Sequence, residues 1–125
     1  MARILIVDDM AETRGMLADL LSRGGHVVDT ARNGVEAVER FREYPADLLI
    51  CDVMMPMQGG LETMNELRQK NPILKIIAIS GMFDVTTQPK AGETREWATK
   101  MGADYTLSKP IDTAVIENAV NKLLG

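Results

Sequence analysis

At 125 residues the chain suits one domain of ordinary size, and its hydrophobic share of 46% is that of a globular chain. Fourteen Lys and Arg against eighteen Asp and Glu leave a net charge of −4, which argues against a nucleic-acid surface, where clustered cations must neutralise phosphates. A single cysteine, Cys51, excludes an internal disulfide; no apolar run approaches the roughly 18 residues of a membrane span; and MARILIVDD turns acidic too early for a secretory signal, so a reducing, cytoplasmic setting is expected.

The first strand is predicted at Ile4–Val7, a branched apolar run that stops at Asp8-Asp9. Asp9 is placed to cap the helix that follows, Met10–Arg23, whose apolar stripe is Met16, Leu17, Leu20 and Leu21. Gly24-Gly25 ends it. The second strand, His26–Ala31, is mixed in polarity and so belongs near a sheet edge. Asn33-Gly34 is a turn, and Gly34–Glu43 repeats the helical spacing through Val35, Ala37, Val38 and Phe41 until Pro45 stops it. Leu48–Asp52 is a third strand, apolar up to its closing acid, as a strand buried on both faces should be. Pro56 and Gly59-Gly60 make a loop. Leu61–Lys70 is a helix with Leu61, Met64 and Leu67 on one face, broken at Asn71-Pro72.

Lys75–Ile79 is the fourth strand and ends at Ser80-Gly81. Met82–Gly92 has no clear period and reads as a loop. Glu93–Met101 is a short helix stopped by Gly102. Tyr105–Ser108 is the fifth strand, followed by Lys109-Pro110. Asp112 caps a last helix with Val115, Ile116, Ala119, Val120 and Leu123 inward.

Five strands alternating with five helices predict an α/β fold, a parallel sheet covered on both faces, in one domain over residues 1–125. The pattern resembles the doubly wound, flavodoxin-like order 2-1-3-4-5, in which strands one and three are neighbours at the switch point and ligands gather beyond the carboxyl ends of the strands. On that topology Asp8, Asp9, Asp52, Ser80 and Lys109 converge on one crevice. Each has an ordinary reading alone: a helix cap for Asp9, turn residues for Asp52 and Ser80, a solvated charge for Lys109. Together they pose an electrostatic problem. Two carboxylates about 4–5 Å apart repel by roughly 3–4 kcal/mol at an effective dielectric of about 20, so three require a cation or protons among them. A hard oxygen cluster with open positions suits Mg²⁺, which keeps waters and accepts phosphate oxygens. An acid, a divalent ion, a lysine and a hydroxyl are the parts of phosphoryl transfer onto a carboxylate.

The sequence resembles the receiver domains of two-component response regulators over nearly its whole length. The matching pieces are ILIVDD at 4–9, LLICDVMMP at 48–56 with Gly60 following, IIAISG at 76–81, MGAD at 101–104 and LSKP at 107–110. The resemblance implies that Asp52 is the phosphoacceptor, charged by a sensor histidine kinase or a histidine phosphotransfer protein. It implies that Asp8, Asp9, Asp52 and the backbone carbonyl of Met54 hold Mg²⁺, that Lys109 pairs with the phosphoryl group, that Ser80 is the switch hydroxyl, and that the bond before Pro110 is cis. The chain would then catalyse its own phosphorylation and dephosphorylation without being a turnover enzyme. It would act on an unknown downstream protein through the face of helix 93–101, strand 105–108 and the last helix, with no nucleic-acid or membrane contact of its own. It could equally be the receiver piece of a longer regulator.

Two features depart from that family. Its switch aromatic stands three residues before the lysine, where this chain has Thr106, with Tyr105 one earlier. Either Tyr105 substitutes through a local shift or the aromatic arm is absent. The interval from Ser80 to Lys109 is also longer than usual, and the surplus falls in Met82–Gly92, read as a gating segment or a tolerated insertion. Met54 and Met82 are placed to shade the phosphoryl group from water. Cys51 reads as a buried apolar residue, His26 as a surface strand residue without metal-ligand companions, and Trp97 as packing. A haloacid-dehalogenase-type phosphatase is the competing enzyme reading, but it wants an acid two residues after the nucleophile, where this chain has Met54. A flavin or nucleotide binder would want a glycine- or hydroxyl-rich loop where DDMAETRG stands.

Overall fold

The computed structural model describes residues 2–53, 59–80 and 102–125, and of Ser80 the backbone alone. Met54, Met82, Trp97, the Met82–Gly92 loop and the predicted Glu93–Met101 helix lie outside the described residues. Strands β1 (Arg3–Val7), β2 (Val27–Ala31), β3 (Leu48–Asp52), β4 (Lys75–Ser80) and β5 (Tyr105–Ser108) alternate with helices α1 (Ala11–Arg23), α2 (Gly34–Glu43) and α3 (Gly60–Lys70), and α4 (Thr113–Leu124) follows β5. The strands form one parallel sheet in the order β2-β1-β3-β4-β5, the flavodoxin-like arrangement expected. The mixed strand β2 is at the edge, and β3, buried at all five positions, is in the middle.

Alternation along the strands divides the core in two. Leu5, Val7, Leu49, Cys51, Ile76 and Ala78 pack with Ala37, Phe41, Met64 and Leu67 of α2 and α3. Ile4, Ile6, Leu48, Ile50, Ile77 and Ile79 pack with Leu17, Leu21, Ile116 and Val120 of α1 and α4. The inward faces of the helices are narrower than their apolar spacing predicts. Met16, Val35, Leu61 and Val115 are exposed. The last three lie beside the buried faces, which are Gly34, Ala37 and Phe41 in α2, Gly60, Met64 and Leu67 in α3, and Ile116, Ala119 and Val120 in α4.

Side chains cap the starts of α2 and α4 but not of α1 and α3. Asn33, read as a turn, is the cap of α2, its Oδ1 accepting the Glu36 N–H at 2.9 Å. Asp112 caps α4 as expected, accepting from Ala114 at 2.9 Å and Val115 at 3.3 Å. Asp9 does not cap α1: the cap position is Met10, without a side-chain bond, because the preceding acid Asp8 takes the Met10 N–H at 2.8 Å. Asn33→Ala should therefore cost about 1 kcal/mol, visible as a lower urea midpoint at constant m-value.

Candidate functional site

The register of the two central strands brings the first two acids together. β1 and β3 pair directly, with Val7 opposite Cys51, so the next residues, Asp8 and Asp52, leave the sheet side by side. Both are buried, 1% and 3% exposed, while Asp9 points out. Ligand oxygens of Asp8, Asp9 and Asp52 all lie within 4.8 Å of one another. β4 and β5 end level, Ser80 opposite Ser108, and the next residue after Ser108 is Lys109, whose peptide to Pro110 is cis. Its Nζ lies 3.0 Å from Asp8 Oδ2 and 3.2 Å from Asp52 Oδ2. Asp8, Asp52 and Lys109, from three strand ends, thus share one crevice with Asp9 at its rim.

Among the described residues one ammonium faces two buried carboxylates and a third at the surface, an excess of negative charge. Asp8 Oδ2 is buried and, among the described residues, meets only the Lys109 ammonium, at 3.0 Å. Three carboxylates whose oxygens lie within 4.8 Å of one another repel, and a hard dication bound through oxygen would relieve that. The donor set fits Mg²⁺: carboxylates only, from one end of the sheet, open to solvent at Asp9. Burial pulls the Lys109 pKa down, but the hydrogen bond to Asp8 and the charges of Asp52 and Asp8 outweigh it, so the pKa stands above its ordinary value. The ammonium is cationic throughout the neutral range.

Close approach fixes the end of β3. The Val53 N–H donates to Ile79 O at 2.8 Å and Gly60 N–H to Val53 O at 3.3 Å. A Cβ on Gly60 would sit on the backbone of Asp52 and Val53. Cys51, on the opposite face of the strand, is fully buried. Burial pushes its thiol pKa far up, helped by the negative charges of Asp52 and Asp8, so it is an inert apolar neighbour. Its proton is held more tightly in the folded than in the unfolded chain. Stability should therefore hold below the ordinary thiol value of about 8.5 and fall as pH climbs past it, by up to about 1.4 kcal/mol per pH unit. Lys109, also raised, adds a loss of the same sign only above about 10.4. In Cys51→Ala the onset of the alkaline decline should move upward toward that second value, read from denaturation midpoints between about pH 8 and 11.

The switch candidates separate by face. β5 pairs with β4 without a bulge, Tyr105 opposite Ile77 and Thr106 opposite Ala78. Thr106 is buried on the α2–α3 side, and Tyr105, 37% exposed, lies on the α1–α4 side. This regular ladder contains no shift that would exchange the two. Ser80 ends β4 at the crevice edge. Two residues of α1 and its start also border the site and were not singled out from sequence. Arg14 donates to the Asp8 carbonyl at 2.7 Å, and the Met10 sulfur lies 3.4 Å from Lys109 Nζ. Their one sequence signal is position, one and five residues after Asp9.

A doubly wound sheet with an acidic, lysine-bearing crevice at its switch point defines a receiver module. The chain belongs to the response regulator receiver domain family, whose model matches residues 4–121. It is 35% identical to the chemotaxis protein CheY of Bacillus subtilis over 98% of both chains. It is 32% identical to CheY of Halobacterium salinarum over 98% of this chain and 96% of that one. Among solved structures it superposes on the response regulator TrrA of Thermotoga maritima in complex with Mg²⁺–BeF with a TM-score of 0.79 and 32% identity, covering 98% of this chain and 99% of that one. It is thus a CheY-like receiver domain of two-component signalling, a class of switches rather than turnover enzymes. Among the described residues no helix is long and apolar enough to cross a membrane.

Proposed function

We propose that this chain is a phosphorylation-activated signalling switch whose phosphoacceptor is Asp52. The observation that carries the reading is the meeting of Asp8, Asp9 and Asp52 oxygens within 4.8 Å, with Lys109 3.2 Å from Asp52 Oδ2. An Asp52 oxygen attacks the phosphorus of a phosphohistidine on a sensor kinase or phosphotransfer protein. The new O–P bond forms as the N–P bond breaks, and the electron pair stays on the imidazole nitrogen. Lys109 supplies positive charge to the equatorial oxygens, where electrostatic preorganisation lowers the barrier. Asp8, Asp9 and Asp52 would hold Mg²⁺, with the Met54 carbonyl added by the family resemblance, and the bound ion would supply further positive charge to the phosphoryl oxygens. The solved complex of the relative TrrA with Mg²⁺–BeF supports that assignment.

The chain supplies all of these side chains itself, so it promotes its own phosphorylation and its own hydrolytic reset. The modification adds about −1.5 to −2 charge at the crevice. That charge draws Lys109 and the Ser80 hydroxyl inward and shifts the population of the surface carried by β5 and α4 toward a form that a downstream protein reads. Thr106 and Tyr105 flank this movement. A phosphohistidine donor of this kind would be met in the cytoplasm, the compartment this reading implies. Incubation with acetyl phosphate and Mg²⁺ followed by intact mass tests the reading. The expected result is a gain of one phosphoryl group that is absent without Mg²⁺ and absent in Asp52→Asn; equal phosphorylation of Asp52→Asn would overturn it.

A further inference from the structure

The Lys109 ammonium has a neighbour besides its carboxylates. The Met10 sulfur lies 3.4 Å from Nζ, on a residue 49% exposed, whereas Asp8 and Asp52 sit deep on the other side. Met10 is anchored by its backbone to the same crevice, its N–H donating to Asp8 Oδ1 at 2.8 Å. Its side chain does no capping work for α1.

We propose that Met10 is a positioning residue for Lys109, holding the ammonium at the mouth of the crevice and covering it from water; the inference rests on Asp52 being the phosphoacceptor. An ammonium has three N–H donors. Asp8, Asp52 and the Met10 sulfur are three acceptors set around this one, two of them charged and one soft and weak. Lysine is a strongly hydrated point charge on a flexible stem, and with its outer donor open to water it would spend part of its time swung outward. A carboxylate or carbonyl in the Met10 position would hold the ammonium firmly and compete with the arriving phosphoryl oxygen. A thioether excludes water and yields easily. The same contact accounts for a half-exposed apolar side chain beside an acidic crevice.

The test compares the unaltered chain with Met10→Ala and Met10→Leu by two readouts. Reductive methylation of lysines, resolved by peptide, reports the accessibility of Lys109 against Lys75 and Lys122. Time courses with acetyl phosphate report the limiting phosphorylation rate at saturating Mg²⁺. Met10→Ala should raise Lys109 labelling about threefold or more over the reference lysines. It should slow the limiting rate about threefold to tenfold, the scale of one weak contact to a charged group. Met10→Leu keeps the bulk without the sulfur and should fall between. Lys109 labelling and rate within twofold of the unaltered chain in both variants, or labelling that rises equally at all three lysines, would overturn the proposal. An unaltered chain that takes no phosphoryl group would instead defeat the phosphoacceptor reading, and the labelling comparison would still decide whether Met10 positions the lysine.

Discussion

Replacing Lys109 with methionine is expected to lower the stability of the metal-free protein by about 2–3 kcal/mol and to slow phosphorylation from acetyl phosphate about a hundredfold or more. The side chain keeps its length and loses its charge. Asp8 and Asp52, both almost fully buried, then lose the ammonium that lies within 3.2 Å of each. Removing one partner of a buried ion pair typically costs about 3–5 kcal/mol because the survivor is uncompensated. The Lys109 side chain is 20% exposed, so water already screens part of the interaction and the lower figure is expected. The kinetic loss follows from withdrawing one preorganised charge from the transition state. Mg²⁺ separates the two effects. A ligand that binds only the folded state stabilises it by mass action, and the ion would take over the neutralisation that Lys109 no longer provides. Millimolar Mg²⁺ should therefore raise the urea midpoint of Lys109→Met by more than that of the unaltered chain, while the phosphorylation defect persists. Equal Mg²⁺ responses in the two proteins would mean that lysine and metal do not share the Asp8–Asp52 charge.

Asp8 and Asp52 were legible in the sequence because each closes a short apolar run, and Lys109 because it follows the short strand-like YTLS; a parallel sheet brings such ends to one edge. The strand order was legible too: β3 is apolar throughout and central, β2 is mixed and peripheral. Side-chain events one step beyond the strands were not. Asp9 and Asp8 are adjacent identical acids, and only the backbone path after β1 makes Asp8 the acceptor for Met10 N–H and leaves Asp9 exposed. Arg14 and Met10 fall outside the predicted apolar stripe of their helix, and periodicity ranks residues by which face they occupy and not by what lies past the helix end. Apolar spacing likewise counted Val35, Leu61 and Val115 as core, although each is exposed one position after or before the residues that face the sheet. Tyr105 and Thr106 could not be ordered without the β4–β5 register.

Gly60 is the position where a single methyl group should do most damage without touching a charged residue. In the sequence it is one of two adjacent glycines with the look of an ordinary loop, yet the two differ sharply in space. A Cβ on Gly59 would meet none of the described residues within 4 Å. A Cβ on Gly60 would clash with the Asp52 carbonyl oxygen, lie 2.5 Å from Val53 Cα and 2.9 Å from the Asp52 carbonyl carbon. These are backbone atoms with no rotamer to yield, and they are themselves tied by the Val53–Ile79 and Gly60–Val53 hydrogen bonds. Gly60→Ala must therefore push the start of α3 away from the end of β3. Overpacking ordinarily costs about 1–3 kcal/mol, and against fixed backbone the upper end or more is expected. The displaced atoms carry the Asp52 carboxylate, and a shift near 1 Å at a reacting group can cost on the order of a hundredfold in rate. Gly60→Ala should thus lose about 3 kcal/mol and most of its phosphorylation rate, while Gly59→Ala, which alters only a helix-cap preference, should stay within about 1 kcal/mol and phosphorylate nearly as the unaltered chain does. Denaturation midpoints and acetyl phosphate time courses on the two variants check this, and matching losses in both would show that loop entropy, not the contact with the Asp52 backbone, is what these glycines provide.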